Sequence, residues 1–107
     1  MIVMHSTFNL LDGQQADEFK SVFDAFAAHL HEKRLVTGWR YMQRAPHDGY
    51  NADMPEGQHY LMTEFIDMEQ AQACWDYVEE DSEPIASLHR DVRTRITNSS
   101  FYLCRDV

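Results

Sequence analysis

The chain has 107 residues and a mass of 12.6 kDa, which suits a single domain spanning 1–107 and leaves no room for a second. Its hydrophobic fraction of 44% and charged fraction of 25% are those of a folded globular chain rather than a disordered one. Eighteen acidic side chains against nine basic ones give a formal charge of −9, which argues against nucleic acid or an anionic membrane as partner, since both need clustered Lys and Arg.

The opening Met1–Leu10 segment is β-branched and apolar with no helix cap ahead of it, so a first strand is predicted there. It lacks a basic n-region and carries His5 and Asn9, and so does not read as a signal peptide. No apolar run approaches the roughly 18 residues of a membrane-spanning helix. Asp12 stands three residues before Gln15, the spacing of a capping box, and predicts a helix over about 14–33. Phe19, Val22, Phe23, Phe26, Ala27 and Leu30 form its apolar face. A second strand is expected from Val36 to about Arg44. The following stretch, 45–58, contains Pro46, Gly49, Pro55 and Gly57 and reads as a long loop.

His59–Ile66 is the clearest strand. Asp67 and Gln70 repeat the capping spacing and open a helix with Ala71, Cys74, Trp75 and Val78 inward. Ser82 and Pro84 mark another start, with Ile85, Leu88, Val92 and Ile96 as its inner face. Phe101–Cys104 closes the chain as a fourth strand. Cys74 and Cys104 lie far apart, neither in a CxxC pair, and are expected as buried reduced thiols of a cytoplasmic protein. The order β-α-β-β-α-β, with the second helix broken in two, predicts an α+β ferredoxin-like domain: a four-stranded antiparallel sheet with helices on one face.

One-sided cover should leave alternating strands. Here both faces are apolar: Leu61, Thr63 and Phe65 against Tyr60, Met62, Glu64 and Ile66, and Trp39 and Tyr41 against Val36 and Met42. Each large side chain left in water forgoes roughly 1.5–3 kcal/mol. A second copy packed sheet to sheet removes that exposure, so a homodimer is expected; the alternative is a face that stays wet and aromatic.

The run Tyr60-Leu61-Met62-Thr63-Glu64-Phe65-Ile66-Asp67, followed by Glu69 and Ala71, resembles the third strand and second helix of the dimeric α+β barrel superfamily. His89 after a proline-marked turn and the ending Phe101–Asp106 resemble its C-terminal half. That superfamily includes antibiotic-biosynthesis-type monooxygenases, stress-responsive barrel proteins and heme-degrading monooxygenases. The resemblance implies a dimeric α/β barrel, and it implies that Phe65 faces a cavity beside Thr63 and Leu61, at a position where relatives often carry tryptophan. Heme-degrading relatives use an Asn on the first strand, which Asn9 can supply, and a helical His, where Trp75 stands here.

With Met4, Phe8 and Leu10 turned to the helices, Val3, His5, Thr7 and Asn9 should point into the barrel. Polar groups on a buried face need partners, and a mainly apolar pocket with a few polar groups is the usual ligand site. The site expected is therefore His5 and His89 as candidate catalytic bases, with Thr7, Asn9, Trp39, Tyr41, Thr63 and Phe65 binding a small aromatic or apolar molecule. Pairing among the polar residues themselves is the alternative for the first strand, and a satisfied core position for His89. His29 and His31 diverge on their helix and make a poor metal pair. His47, Asp48, Asn51 and Asp53 lack the spacing of a calcium loop. No nucleophile elbow, phosphate-binding glycine loop or zinc signature occurs. No metal and no cofactor is expected. Two functions remain open: a cofactor-independent monooxygenase acting on a small aromatic substrate, and a non-catalytic ligand-binding or stress-responsive protein of the same fold.

Overall fold

A computed structural model describes residues 1–51 and 57–107. The elements follow as β1 (Ile2–Leu10), α1 (Ala16–Glu32), β2 (Gly38–Gln43), β3 (His59–Phe65), α2 (Met68–Glu79), α3 (Ile85–Arg93) and β4 (Ile96–Arg105). The strands form one antiparallel sheet in the order β2-β3-β1-β4, the ferredoxin-like arrangement with its second helical segment divided. Asp53 and the rest of 52–56, inside the expected long loop, lie outside the described residues.

Two caps fare differently. Asp67 caps α2 as expected, its carboxylate accepting from the Gln70 amide at 2.9 Å. Gln70 in turn accepts from the Ile66 amide and donates to the Arg34 carbonyl, which ties the start of α2 to the end of α1. Asp12 does not cap α1. The helix begins two residues beyond the expected start, behind Gln15, whose side chain makes no capping bond. Asp12 and Gly13 instead form a turn, Gly13 at a φ of +88° that suits glycine.

The largest departure lies at the C-terminal end. The helix expected to run through Ile96 stops at Arg93, and β4 spans ten residues. Thr97-Asn-Ser-Ser100 carries no strand pattern. It becomes strand because the whole length of β1 offers unpaired backbone groups, and β4 answers from Ile96 opposite Leu10 to Arg105 opposite Ile2. A register shift between Thr7 and Asn9 absorbs the irregularity, with Asn98 at a φ of 56°.

The core fills the space between sheet and helices. Phe8, Phe19 and Phe65 are almost wholly enclosed, joined by Leu30, Val36, Leu61, Ala71, Cys74 and Ile85. His29 Nε2 and the Tyr77 hydroxyl, 2.7 Å apart, join α1 to α2. No helix lies broadly over β4. Phe101 and Leu103 share a face with Ser6 and Met4, yet remain 62% and 45% exposed. Cys104, expected to be buried, is exposed on this edge strand, whereas Cys74 is buried. Among the described residues no helix is long and apolar enough to cross a membrane.

Candidate functional site

Residues opposite one another in an antiparallel pair share a face, so register decides which side chains can meet. Met4 opposes Thr63 and Ser6 opposes Leu61, while Trp39 and Tyr41 oppose Thr63 and Leu61. Thr63, Phe65, Trp39 and Tyr41 therefore lie with Met4 and Phe8 beneath the helices. The expectation that they face an intersheet chamber beside His5, Thr7 and Asn9 is corrected. Both faces of β3 are apolar, so its pattern alone cannot orient it; pairing with β1 does.

On the helix side a cavity of about 340 Å³ remains between sheet and helices. Its floor is Met4, Ser6, Phe8, Leu61, Thr63 and Phe65 from β1 and β3. Phe23, Phe26 and Leu30 of α1 form one wall, Cys74, Trp75 and Val78 of α2 another, and His89 and Val92 of α3 a third. Glu79, Arg93, Ser99 and Phe101 also border it, and all four are exposed, which puts the mouth beside β4. Trp75 meets Phe65 edge-on with ring centres 6.0 Å apart.

His89, Thr63 and Phe65 thus belong to one cavity. The His89 ring stacks on Phe26 at 5.8 Å. Burial depresses its pKa and the nearby Arg93 charge lowers it further, against a smaller opposing effect of Asp81. Burial and the Arg93 charge both favour the neutral imidazole, the form a base requires. Cys74 is no nucleophile, because burial pushes its thiol up to about 11.

Trp39 and Tyr41 occupy the same side without lining the cavity. The Trp39 indole N–H donates to Asp24 of α1 at 3.0 Å. The Tyr41 hydroxyl is hydrogen-bonded to His59 Nδ1 at 2.5 Å, with Phe8 stacked against both rings. Burial raises the Tyr41 pKa and lowers that of His59. These pairs fasten β2 and β3 beneath the helices.

His5, Thr7 and Asn9 lie on the opposite, bare face. His5 is hydrogen-bonded to the Tyr60 hydroxyl and stacks on Tyr102 at 4.8 Å, so it has partners within its own chain. Burial raises the Tyr60 pKa, as does proximity to Tyr102 and Cys104. Asn9 accepts from the Gln58 amide at 2.9 Å and holds the end of the β2–β3 connection. Gly57 is needed there: its φ is +127°, and a Cβ would lie 3.1 Å from the Phe8 amide nitrogen. Thr7 borders a second hollow of about 470 Å³, under Met42–His47 and Gln58–Tyr60. His47 Nδ1 accepts from the Gly49 and Tyr50 amides, a turn rather than a ligand geometry. Among the described residues no three His, Cys, Asp or Glu side chains converge as a metal site would require.

Ser6 and Arg93 were not singled out from the sequence, and Trp75 was read as an inward residue of its helix without a place in the site. For Ser6 a signal exists, since it is a polar residue in the otherwise apolar alternate set Met4, Ser6, Phe8 that faces the helices. Nothing in the sequence marks Arg93, whose place at the mouth follows from where α3 ends.

Solved structures share this fold at low sequence identity. An Arabidopsis thaliana protein, At3g17210, matches with a TM-score of 0.76 at 6% identity, covering 100% of this chain and 96% of that one. SnoaB, a cofactor-independent oxygenase from Streptomyces nogalater, matches with a TM-score of 0.70 at 13% identity over 98% of this chain and 91% of its own. A dimeric ferredoxin-like protein of unknown function from Thermobifida fusca matches with a TM-score of 0.63 at 9% identity over 98% and 90%. These likenesses bear out the ferredoxin-like α+β fold. No curated protein matches the sequence. The model of one family, described as a family of unknown function (DUF6614), matches residues 1–107, and the chain belongs to that family.

Proposed function

We propose that the chain is a cofactor-independent oxygenase whose cavity between helices and sheet takes a small aromatic substrate, with His89 as the base. The observation that carries this reading is the His89 imidazole set in the wall of a mainly aromatic and aliphatic cavity, where burial favours its neutral form. An electron-rich ring system of the anthrone or quinol kind fits between Phe26, Phe65 and Trp75. His89 takes its acidic C–H or O–H proton. The resulting anion gives two electrons, one after the other, to molecular oxygen, forming a C–O bond at a ring carbon that still bears a hydrogen, and the peroxide anion takes the proton back from His89. Loss of water from the hydroperoxide then leaves a keto group, so one oxygen atom enters the product and the other departs as water. SnoaB, of the same fold, is a cofactor-independent oxygenase, which supports the assignment.

The bare face belongs to the same reading. It carries Val3, Tyr60, Met62 and Tyr102, and a second copy packed against it covers them; that a protein of the same fold is dimeric supports this.

The test is oxygen uptake by metal-free protein with anthrone or a naphthoquinol. Uptake well above the spontaneous rate is expected, falling toward background in His89→Ala. Activity should decline as pH drops through the depressed His89 pKa, below its ordinary 6.5. Background uptake by the native protein sinks the enzymatic reading. A second reading, a binding protein without turnover, is favoured by one observation: no described side chain hydrogen-bonds His89 to orient it. It predicts a raised melting temperature with ligand and no oxygen uptake.

A further inference from the structure

The cavity floor carries two polar side chains that the chemistry above does not use. Ser6 and Thr63 are 5% and 9% exposed, and both line the cavity. Neither hydroxyl has a hydrogen-bond partner among the described residues. Yet among the described residues no enclosed side-chain oxygen lacks one, so both hydroxyl oxygens open onto the cavity space. A buried hydroxyl without a partner is costly, and an alanine and a valine would fill these positions with no such cost. Several half-buried polar groups elsewhere are paired: His5 with Tyr60, Tyr41 with His59, His29 with Tyr77, Trp39 with Asp24.

Register fixes how the two hydroxyls stand to one another. Ser6 opposes Leu61 and Thr63 opposes Met4, so they are diagonal neighbours on adjacent strands. Such positions are about 7 Å apart, close enough for one ligand oxygen to lie between the two hydroxyls. Each hydroxyl can donate one hydrogen bond and accept others. Together they can give two to a keto oxygen, or give one to a phenol oxygen and take one from it. They carry no charge. A carboxylate or phosphate on the floor would be desolvated without a cation, and the nearest cation lining the cavity, Arg93, is exposed at the mouth.

We infer that Ser6 and Thr63 form a specificity-determining pair that receives a neutral keto or hydroxyl oxygen on the inner end of an otherwise apolar ring ligand. This rests on the cavity being a ligand site, and adds to it the polarity, neutrality and direction of the ligand. The oxygen points to the sheet, and the apolar body lies against Phe26, Phe65 and Trp75.

The experiment compares naphthalene with 1-tetralone, rings of similar size that differ by one keto oxygen, using ligand-observed NMR titration. Native protein should bind 1-tetralone more tightly. Replacing both hydroxyls, in Ser6→Ala with Thr63→Val, should weaken 1-tetralone by roughly tenfold and leave naphthalene unchanged. Thr63→Ser, which keeps the hydroxyl, should keep most of the preference, and serves if the double variant does not fold. Equal binding of both compounds to the native protein, or an unchanged preference in the double variant, overturns the hydroxyl pair while leaving the cavity as a ligand site. Failure of both compounds to bind the native protein overturns the pair and the ligand site together.

Discussion

The two faces of one sheet draw on similar residues and come to different ends. Beneath the helices, Phe8, Leu61 and Phe65 are each 5% exposed or less, and the rings of Phe8, Phe19 and Tyr41 pack against one another. On the other side Val3, Tyr60 and Met62 are half-buried, and Tyr102 is exposed. Apolar composition is therefore not what separates core from surface here. Cover separates them, and cover comes from which face the β-α-β crossovers put their helices on. The polar residues differ as well. On the bare face His5 and Asn9 are hydrogen-bonded within the chain, whereas on the covered face Ser6 and Thr63 open onto the cavity.

The contrast can be broken first by truncation. Phe65→Ala should destabilise the protein by about 3–5 kcal/mol in urea unfolding, as large-to-small changes in a packed core do. A cost below 1 kcal/mol would mean that the β3 face has been assigned wrongly. The bare face gives its largest effect in association. Met62→Asp puts a carboxylate where a second copy would press, and should leave a 12.6 kDa protomer in sedimentation where the native chain is expected as the proposed dimer. A native chain that sediments as the protomer refutes the dimer directly.

Smaller effects sharpen the picture. Asp67→Ala removes the carboxylate that caps α2 and should cost about 1 kcal/mol, seen as a lower urea midpoint with an unchanged slope. The smallest is a pH effect. His59 and His89 both have pKa values below the ordinary 6.5, chiefly because burial penalises the imidazolium. Above pH 6.5 both are neutral whether the chain is folded or not, and their contribution is fully present. As pH falls below 6.5 the unfolded chain takes up protons first, so stability declines through the depressed folded values. His59→Gln should flatten that acid limb, measured as melting temperature between pH 7 and 5. An acid limb no shallower than that of the native chain would show that His59 does not carry it.

Much of the fold was legible from residues that act locally. Asp67 and Gln70 announce a helix because a carboxylate three residues ahead of an amide can cap it, as Asp67 does though Asp12 at the same spacing does not. The alternate set Met4, Phe8, Leu10 orients β1 because its other face is polar. The candidate site was less legible for a physical reason visible in β3: a strand apolar on both faces has no preferred side until a neighbour pairs with it. Thr63 and Phe65 were singled out but turned toward the wrong chamber, while His89 was found on its helix stripe without the cavity it borders.

Local chemistry alone therefore determined the element order, the cap of α2, the ferredoxin-like class and the inward face of β1. Tertiary pairing decided the facing of β2 and β3, the ten-residue length of β4, and the hollow between Phe65, Trp75 and His89. Propensity, capping and alternation are written over a few adjacent residues. Facing, strand length and empty space depend on partners some sixty or a hundred positions away, as Ile2 meeting Phe65 and Arg105 makes plain.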